Sequence, residues 1–284
     1  MAFGPQVWSA GVEGDVVICG TCGVEHAEIV DVCAICADER QWVPAAGQRW
    51  TSFAKLAAAG HASHVAELER DLLGVTIRPG VGIAQQAHLV CTPSGSLLWD
   101  PTGYVDEHAV EWIGALGDVV AIAASHPHMF GAQVAWSRAL GGVPVLVAEA
   151  DLGWVARPDR VIRPWAGTVE VLPGVTLTQL GGHFPGSSVV HWAAGADGRG
   201  VVLGSDTIQT NPDRASVTFM RSYPNRIPLS AAVVERVTQG VEPFSFDRLY
   251  DNFGGTIDAD AREVVRRSAE RYAGWARGDF DRLT

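Results

Sequence analysis

A chain of 284 residues, 47% of them apolar and ten of them tryptophan, is long enough for one large domain plus a small module. Its 21 basic residues stand against 32 acidic ones, a formal charge of −11, which argues against a nucleic-acid surface, where clustered positive charge must displace counterions. Lys55 is the sole lysine, so Schiff-base chemistry has a single poor candidate. No apolar run reaches eighteen residues, and Gly4, Pro5, Ser9 and Glu13 interrupt the opening, so a cytoplasmic protein without membrane contact is expected.

Four of the five cysteines come first. Cys19-Gly20-Thr21-Cys22 and Cys33-Ala34-Ile35-Cys36 form two C-x2-C turns with a ten-residue spacer of hairpin length, a pattern that points four thiolates at one tetrahedral centre. The reading is a structural zinc ribbon over residues 14–48, with a rubredoxin-like iron centre or a redox dithiol as alternatives. Four thiolates fill the coordination sphere, so this metal serves folding rather than catalysis. His26 could replace one cysteine, though four are at hand. Residues 1–50 carry only Arg40 and Arg49 against seven acidic residues, which favours docking to protein, in cis or in trans, over nucleic acid. Cys91 reads as a buried structural thiol.

Residues 41–49 look like a linker into a second domain over residues 49–284. Thr51-Ser52 caps a helix from Phe53 to Ala59, and a second helical stretch with His61 and His64 on a solvated face is expected to run to Leu73. Strands follow at Val75–Ile77, Ala87–Cys91 and Leu97–Asp100, separated by Pro-Gly and Pro-Ser-Gly turns, which suggests an antiparallel meander. A helix with Val105, Ala109, Val110, Ile113 and Leu116 on one stripe comes next, then the buried strand Val119–Ala124. A helix over 132–140, a strand at Val143–Val147 and further strands at Val175–Leu180, Val189–Trp192 and Val201–Thr207 complete the middle. Two amphipathic helices close the chain, Ser230–Gly240 and Asp258–Trp275, the second with Val264, Val265, Ala269, Tyr272 and Trp275 inward. This mixture predicts an α/β (α+β) architecture of sheets covered by helices on the outside.

Chemistry concentrates at strand ends. Ser125-His126-Pro127-His128 follows a buried strand, and histidines at i and i+2 of extended chain face one side, where they can hold a metal together; the proline keeps His126 extended. Taken alone, an H-x-H pair is more often two histidines capping a loop. His183, between Gly181-Gly182 and Pro185, can approach a metal closely because its flanking backbone is unobstructed. Asp206 ends another strand. His126, His128, His183 and Asp206 together offer the borderline and hard donors that a catalytic metal needs, with Asp206 as fourth ligand or general base. Arg221 and Tyr223, in the long polar segment after Asp206, are substrate-contact candidates, and His191 is a reserve ligand.

The ordered set Leu98-Trp99-Asp100, His126-Pro127-His128, Gly182-His183-Phe184-Pro185-Gly186-Ser187 and Gly204-Ser205-Asp206-Thr207 resembles the metallo-β-lactamase superfamily, over about Val75 to Tyr272. More narrowly, the chain looks like the hydrolase-like members with an amino-terminal zinc ribbon. The resemblance implies an αββα sandwich with the metal at one edge of the paired sheets. Two-metal members carry H-x-H-x-D-H, where this chain has Phe130 and Gly131, and the closing family histidine has no counterpart between Tyr250 and Gly254. The expectation is therefore a mononuclear metal-dependent hydrolase acting on a small molecule, with Zn2+ or Fe2+ at the histidines beside the structural zinc of Cys19, Cys22, Cys33 and Cys36; three imidazoles on one zinc suffice to bring bound water to a pKa of about 7. A mononuclear Fe(II) oxygenase or persulfide-handling enzyme is the second reading. The third is a non-catalytic metal-binding or protein-interaction module, its partner met through the ribbon.

Overall fold

Cys19 ends the first strand of a three-stranded antiparallel sheet built from β1 (Val17–Cys19), β2 (Glu25–His26) and β3 (Trp50–Ser52), in the order β2-β1-β3. This computed structural model describes residues 15–284; Gly4, Pro5, Ser9 and Glu13, and Gly14 at the start of the expected ribbon, lie outside the described residues. β3 lies past residue 48, so the ribbon's sheet is completed by a strand from beyond its expected boundary.

Ser52 then caps the helix Phe53–Ala58, its hydroxyl accepting from the Lys55 amide at 3.4 Å. The helix expected from His61 to Leu73 is instead a hairpin of β4 (Ala62–Glu69) and β5 (Leu72–Arg78), turning at Asp71 with φ +66°. Leu72 and Leu73 explain why. They are neighbours, yet Leu72 enters the core between the sheets and Leu73 the core outside them, which only the period-two alternation of a strand permits.

The first large sheet continues with β6 (Ala87–Thr92), β7 (Gly95–Trp99), β8 (Val119–Ala123), β9 (Val145–Ala148) and β10 (Ile162–Trp165), in the order β10-β9-β8-β7-β6-β5-β4. β4 to β7 form the antiparallel meander, and β7 to β10 run parallel. The second sheet starts with β11 (Thr168–Leu172), β12 (Val175–Gln179), β13 (Ser188–Trp192) and β14 (Val201–Leu203). Two short hairpins follow, β15 (Gln209–Thr210) with β16 (Val217–Thr218) and β17 (Met220–Ser222) with β18 (Ile227–Pro228). The sheet is completed by β19 (Arg248–Tyr250) and β20 (Thr256–Ile257), in the order β11-β12-β13-β14-β19-β20.

Alternation along the strands makes the layers. In β7, Leu97 and Trp99 face the other sheet, whereas Leu98 faces outward to the helices Glu107–Gly114 and Gln133–Ala139. In β14, Val201 and Leu203 face inward while Val202 meets the helices Ala231–Val241 and Ala261–Arg277. The result is an αββα sandwich. Ile18, Val24 and Ile35 of the ribbon belong to the same outer core as Phe130 and Val134, so the ribbon docks in cis as part of that layer. Two inward assignments fail at the ends of their helices: Trp275 is 46% exposed and packs on Phe280, and Leu116 is 47% exposed just past its last helical turn. Among the described residues no helix is long and apolar enough to cross a membrane.

Because β7 runs parallel to β8, and β12 to β14 and β19, the segments that follow these five strands gather at one edge of the sandwich. Those segments carry Asp100, His126, His183, Asp206 and Asp251.

Candidate metal centre

His126 is extended, with φ −169° and ψ 172°, but Pro127 starts a single 3-10 turn through Met129. The two histidines are therefore not strand neighbours pointing the same way, as extended chain predicted. His126 turns Nε2 to within 3.4 Å of the Asp206 Oδ2, while His128 turns Nδ1 to within 3.2 Å of His183 Nε2. His183 Nε2 is 3.8 Å from the same Asp206 oxygen. Gly182, with φ +95°, brings His183 into place where an added Cβ would press on Val237 at 3.3 Å. One ligand atom from each of His126, His128, His183 and Asp206 lies within 4.8 Å of the others.

Hydrogen bonds on the far side of the rings set the tautomers. His183 Nδ1 donates to the Met220 carbonyl at 3.0 Å, which leaves Nε2 a lone pair. Ser125 Oγ donates to Ser205 Oγ at 2.7 Å and so accepts from His126 Nδ1 at 2.8 Å; His126 Nε2 is left buried without a partner. Burial, with Arg40 as a further cause, lowers His126 to about 3. Burial also lowers His183 to about 4, and burial with the neighbouring imidazoles puts His128 well below its ordinary value. Asp206 is pushed up to about 6 by burial. The lone pairs of His126 Nε2 and His183 Nε2 turned toward the Asp206 carboxylate, with His128 Nδ1 beside them, form a donor set that fits a divalent cation, which would offset their mutual crowding.

The four thiols make the second cluster. Cys19 Sγ lies 3.6 Å from Cys36 Sγ, and Cys22 Sγ 3.9 Å from Cys33 Sγ, all four residues being buried. Gln48 Nε2 donates to Cys19 Sγ at 2.8 Å, and the Cys22 hydrogen bond draws the Cys19 thiol down to about 7. His26 packs edge-on against Trp50 rather than joining the set.

The chain is 42% identical over 260 residues to the uncharacterized protein YmaE of Bacillus subtilis, covering 90% of this chain and 94% of that protein. The structure is similar to DIM-1 metallo-β-lactamase (TM-score 0.54, 11% identity, 74% of this chain and 97% of that one). It is also similar to VMB-1 (TM-score 0.55, 13% identity, 75% and 98%) and to FIM-1 from Pseudomonas aeruginosa in its mono-zinc form (TM-score 0.55, 15% identity, 74% and 96%). The chain belongs to the YmaE family and has the metallo-β-lactamase fold. No family model matches the chain.

In this YmaE-family chain the positions of the second metal are committed elsewhere. Phe130 is buried in the outer core, and Gly131 has φ +50° against the backbone of Pro101 and Thr102. Asp251 stands near the position where the two-metal pattern has its closing histidine, but its carboxylate accepts from Phe253 N and Gly255 N at 2.9 and 2.8 Å and from Thr210 Oγ1. Asn252 Nδ2 contacts Met129 Sδ at 2.5 Å.

The other predicted residues separate. Tyr223 hydroxyl donates to the Asp206 carbonyl at 3.0 Å, and its ring lies 5.8 Å from that of His183, so it borders the site. Arg221 is paired with Glu39 of the ribbon at 2.5 Å. His191 lies apart, bonded to the Ser245 carbonyl at 2.9 Å and stacked on Phe244. Cys91 is half-buried, and burial raises its thiol.

Four residues near the site had no role from the sequence. Ser125 N donates to Asp100 Oδ1 at 2.6 Å, and burial lifts Asp100 to about 7. Asp100 and Ser205 both hold left-handed backbone, φ +54° and +49°, conformations that cost energy and cluster at functional sites. Arg40 reaches the site from the ribbon, its guanidinium carbon 3.8 Å from the centre of the Phe184 ring. Phe184 in turn packs on all three histidines, with ring centres 4.9 to 5.6 Å apart.

Proposed function

We propose that the protein is a mononuclear metal-dependent hydrolase. The observation that carries this reading is the convergence of His126 Nε2, His128 Nδ1, His183 Nε2 and an Asp206 oxygen at the sheet edge, with outward hydrogen bonds holding His126 and His183 in their ligand tautomers. A divalent ion held there supplies Lewis acidity toward a substrate oxygen and toward water. Asp206 is placed either to complete the ligand set or to accept a proton at Oδ2. Tyr223, bonded to the Asp206 backbone, keeps that carboxylate in position. Phe184, 1% exposed, keeps bulk water from one side of the histidines. The FIM-1 structure is a mono-zinc form, so a single ion is compatible with this fold. In our reading the four-cysteine cluster holds a structural zinc.

Metal analysis tests this. Purified protein should hold about two ions per chain, one lost in Cys36→Ser and the other in His126→Ala or His183→Ala, and hydrolysis of ester, thioester or lactone probes should vanish with the second. A His126→Ala protein with full metal content would sink the proposal. The same donor set of three nitrogens and one oxygen also suits Fe(II), so iron in anaerobically prepared protein, with oxygen consumption, would move the reading to an oxygenase or persulfide-handling enzyme. A histidine site that stays empty under every metal while the ribbon fills would leave a non-catalytic module.

A further inference from the structure

Arg40 is a charged group that the fold buries without fully pairing. It lies at 7% exposure, between the ribbon and the histidine site. One edge of its guanidinium serves Asp38: Nε is 2.7 Å from Oδ1 and NH2 donates to Oδ2 at 3.3 Å. Its flat face covers Phe184 and, at 5.6 Å, Trp154. Nε meets Asp38 as an ion pair without a hydrogen bond, and NH1 is buried with no hydrogen-bond partner among the described residues. Leaving a charged donor desolvated and unpaired is costly, so NH1 calls for an acceptor that the protein does not supply, such as a water, an ion or a ligand.

The backbone around Arg40 is fixed. Ser222 Oγ donates to the Arg40 carbonyl at 3.2 Å, and Asn225 Nδ2 donates to the Glu39 and Gln41 carbonyls at 2.7 and 3.1 Å, so the segment after Asp206 clamps this stretch of the ribbon over the site. The Arg40 guanidinium lies 3.8 Å from the centre of the Phe184 ring, and that ring is 4.9 to 5.6 Å from the three imidazoles, which places the charge within electrostatic reach of the ion they would hold. A cation at the histidines beside a guanidinium makes a local positive pair inside a chain of net charge −11. That pair selects for negative charge, and the planar fork of arginine matches a carboxylate or phosphate better than a neutral oxygen.

We propose that Arg40 is an anion anchor, so that the molecule processed at the histidine site carries a small oxyanion, a carboxylate or a phosphate, held by Arg40 NH1. This rests on the reading of the histidines as a metal site. It assigns the ribbon a part in substrate choice beyond folding.

Cobalt(II) loaded at the histidine site, with zinc kept in the ribbon, tests the anchor by visible absorption during titration with formate or with inorganic phosphate. Wild-type protein should give a saturable spectral change with one of these anions, and which one responds identifies the group. Arg40→Met should bind that anion about ten- to hundred-fold more weakly, the loss expected for one charge-assisted hydrogen bond, while keeping its cobalt. Arg40→Lys should fall between. Equal binding by Arg40→Met and wild type, or no response of wild type to either anion, overturns the anchor and leaves the metal reading standing. Should Arg40→Met lose cobalt, Arg40→Lys decides: weakened binding with cobalt retained supports the anchor. Wild-type binding by Arg40→Lys, or loss of cobalt from both variants, makes Arg40 a structural prop and overturns it. Wild-type protein that takes no cobalt at the histidines sinks the metal reading and the anchor with it.

Discussion

A Cβ placed on Gly131 would lie 2.0 Å from the carbonyl oxygen of Pro101. That distance sets a steric bar against a histidine at this position. Phe130 and Gly131 occupy the last two positions of the two-metal pattern, yet one fills the outer core and the other lets the metal-bearing turn lie flat on the segment after Asp100. We therefore predict that Phe130→Asp with Gly131→His gains no second ion and loses about 3 kcal/mol or more of stability, from steric conflict and a buried charge. Metal content per chain and a denaturant melt check this. A stable double variant with one extra ion would show that the turn can lift away from Pro101.

The ribbon should not unfold alone. Glu25 in β2 accepts from the Val134 and Ala135 amides at the start of the helix after His128 and from Arg157 at 2.7 Å, while Ile18 and Ile35 share a core with Phe130. On the proposed reading, Cys36→Ser releases the ion that ties the cysteine sulfurs together, at a cost of several kcal/mol. The expected outcome is one cooperative transition at lower temperature that includes the histidine site. Hydrogen exchange confined to the ribbon, with protection retained in β8, would show separate units.

His88 supplies a pH dependence away from the proposed metal. It lies in β6, 1% exposed, with Nε2 3.3 Å from Gln86 Nε2 and Nδ1 without a partner, and burial lowers it from 6.5 to about 4. The folded state therefore binds fewer protons than the unfolded state between these values. Stability from this group is complete above pH 6.5 and falls by about 3 kcal/mol as pH drops to about 4. Buried carboxyls such as Asp151, raised to about 6, act in the opposite direction, so the comparison must be against a variant. His88→Gln should lose its share of the slope across this window in urea melts at stepped pH. Parallel pH profiles for the two proteins would refute the assignment.

How much of this was legible depended on whether a residue's partners lie near it in sequence. The C-x2-C pairs are local patterns, and His126, His183 and Asp206 each end or follow a strand whose apolar run is readable, so the thiols and ligand candidates emerged without coordinates. The hairpin at 62–78 was lost because Ala, His, Val and Glu in β4, an edge strand, carry no clean alternation. Arg40 could not have been found: its position depends on docking against Ser222 and Asn225, more than 180 residues away. Ser125, Asp100 and Ser205 left a faint trace, since each adjoins a strand end or a ligand, but left-handed backbone at Asp and Ser has no reliable sequence mark.

Those last residues carry the final prediction. Asp100 Oδ1 fixes the Ser125 amide at 2.6 Å, and Ser125 Oγ links His126 Nδ1 to Ser205, so the proton on His126 stays on the nitrogen turned away from the site. Removing that acceptor frees the imidazole to rotate or to shift its proton to Nε2, both of which compete with metal binding. Ser125→Ala should thus hold the histidine-site metal about 10- to 100-fold more weakly, with the ribbon metal unaffected. Competition with a chromophoric chelator measures both affinities in one sample. Ser205→Ala should have a smaller effect, because Ser125 would still accept from His126 and could turn its own proton toward Asp100. Unchanged affinity in Ser125→Ala would mean that the surrounding rings, Phe184 above all, hold His126 in place without the serine.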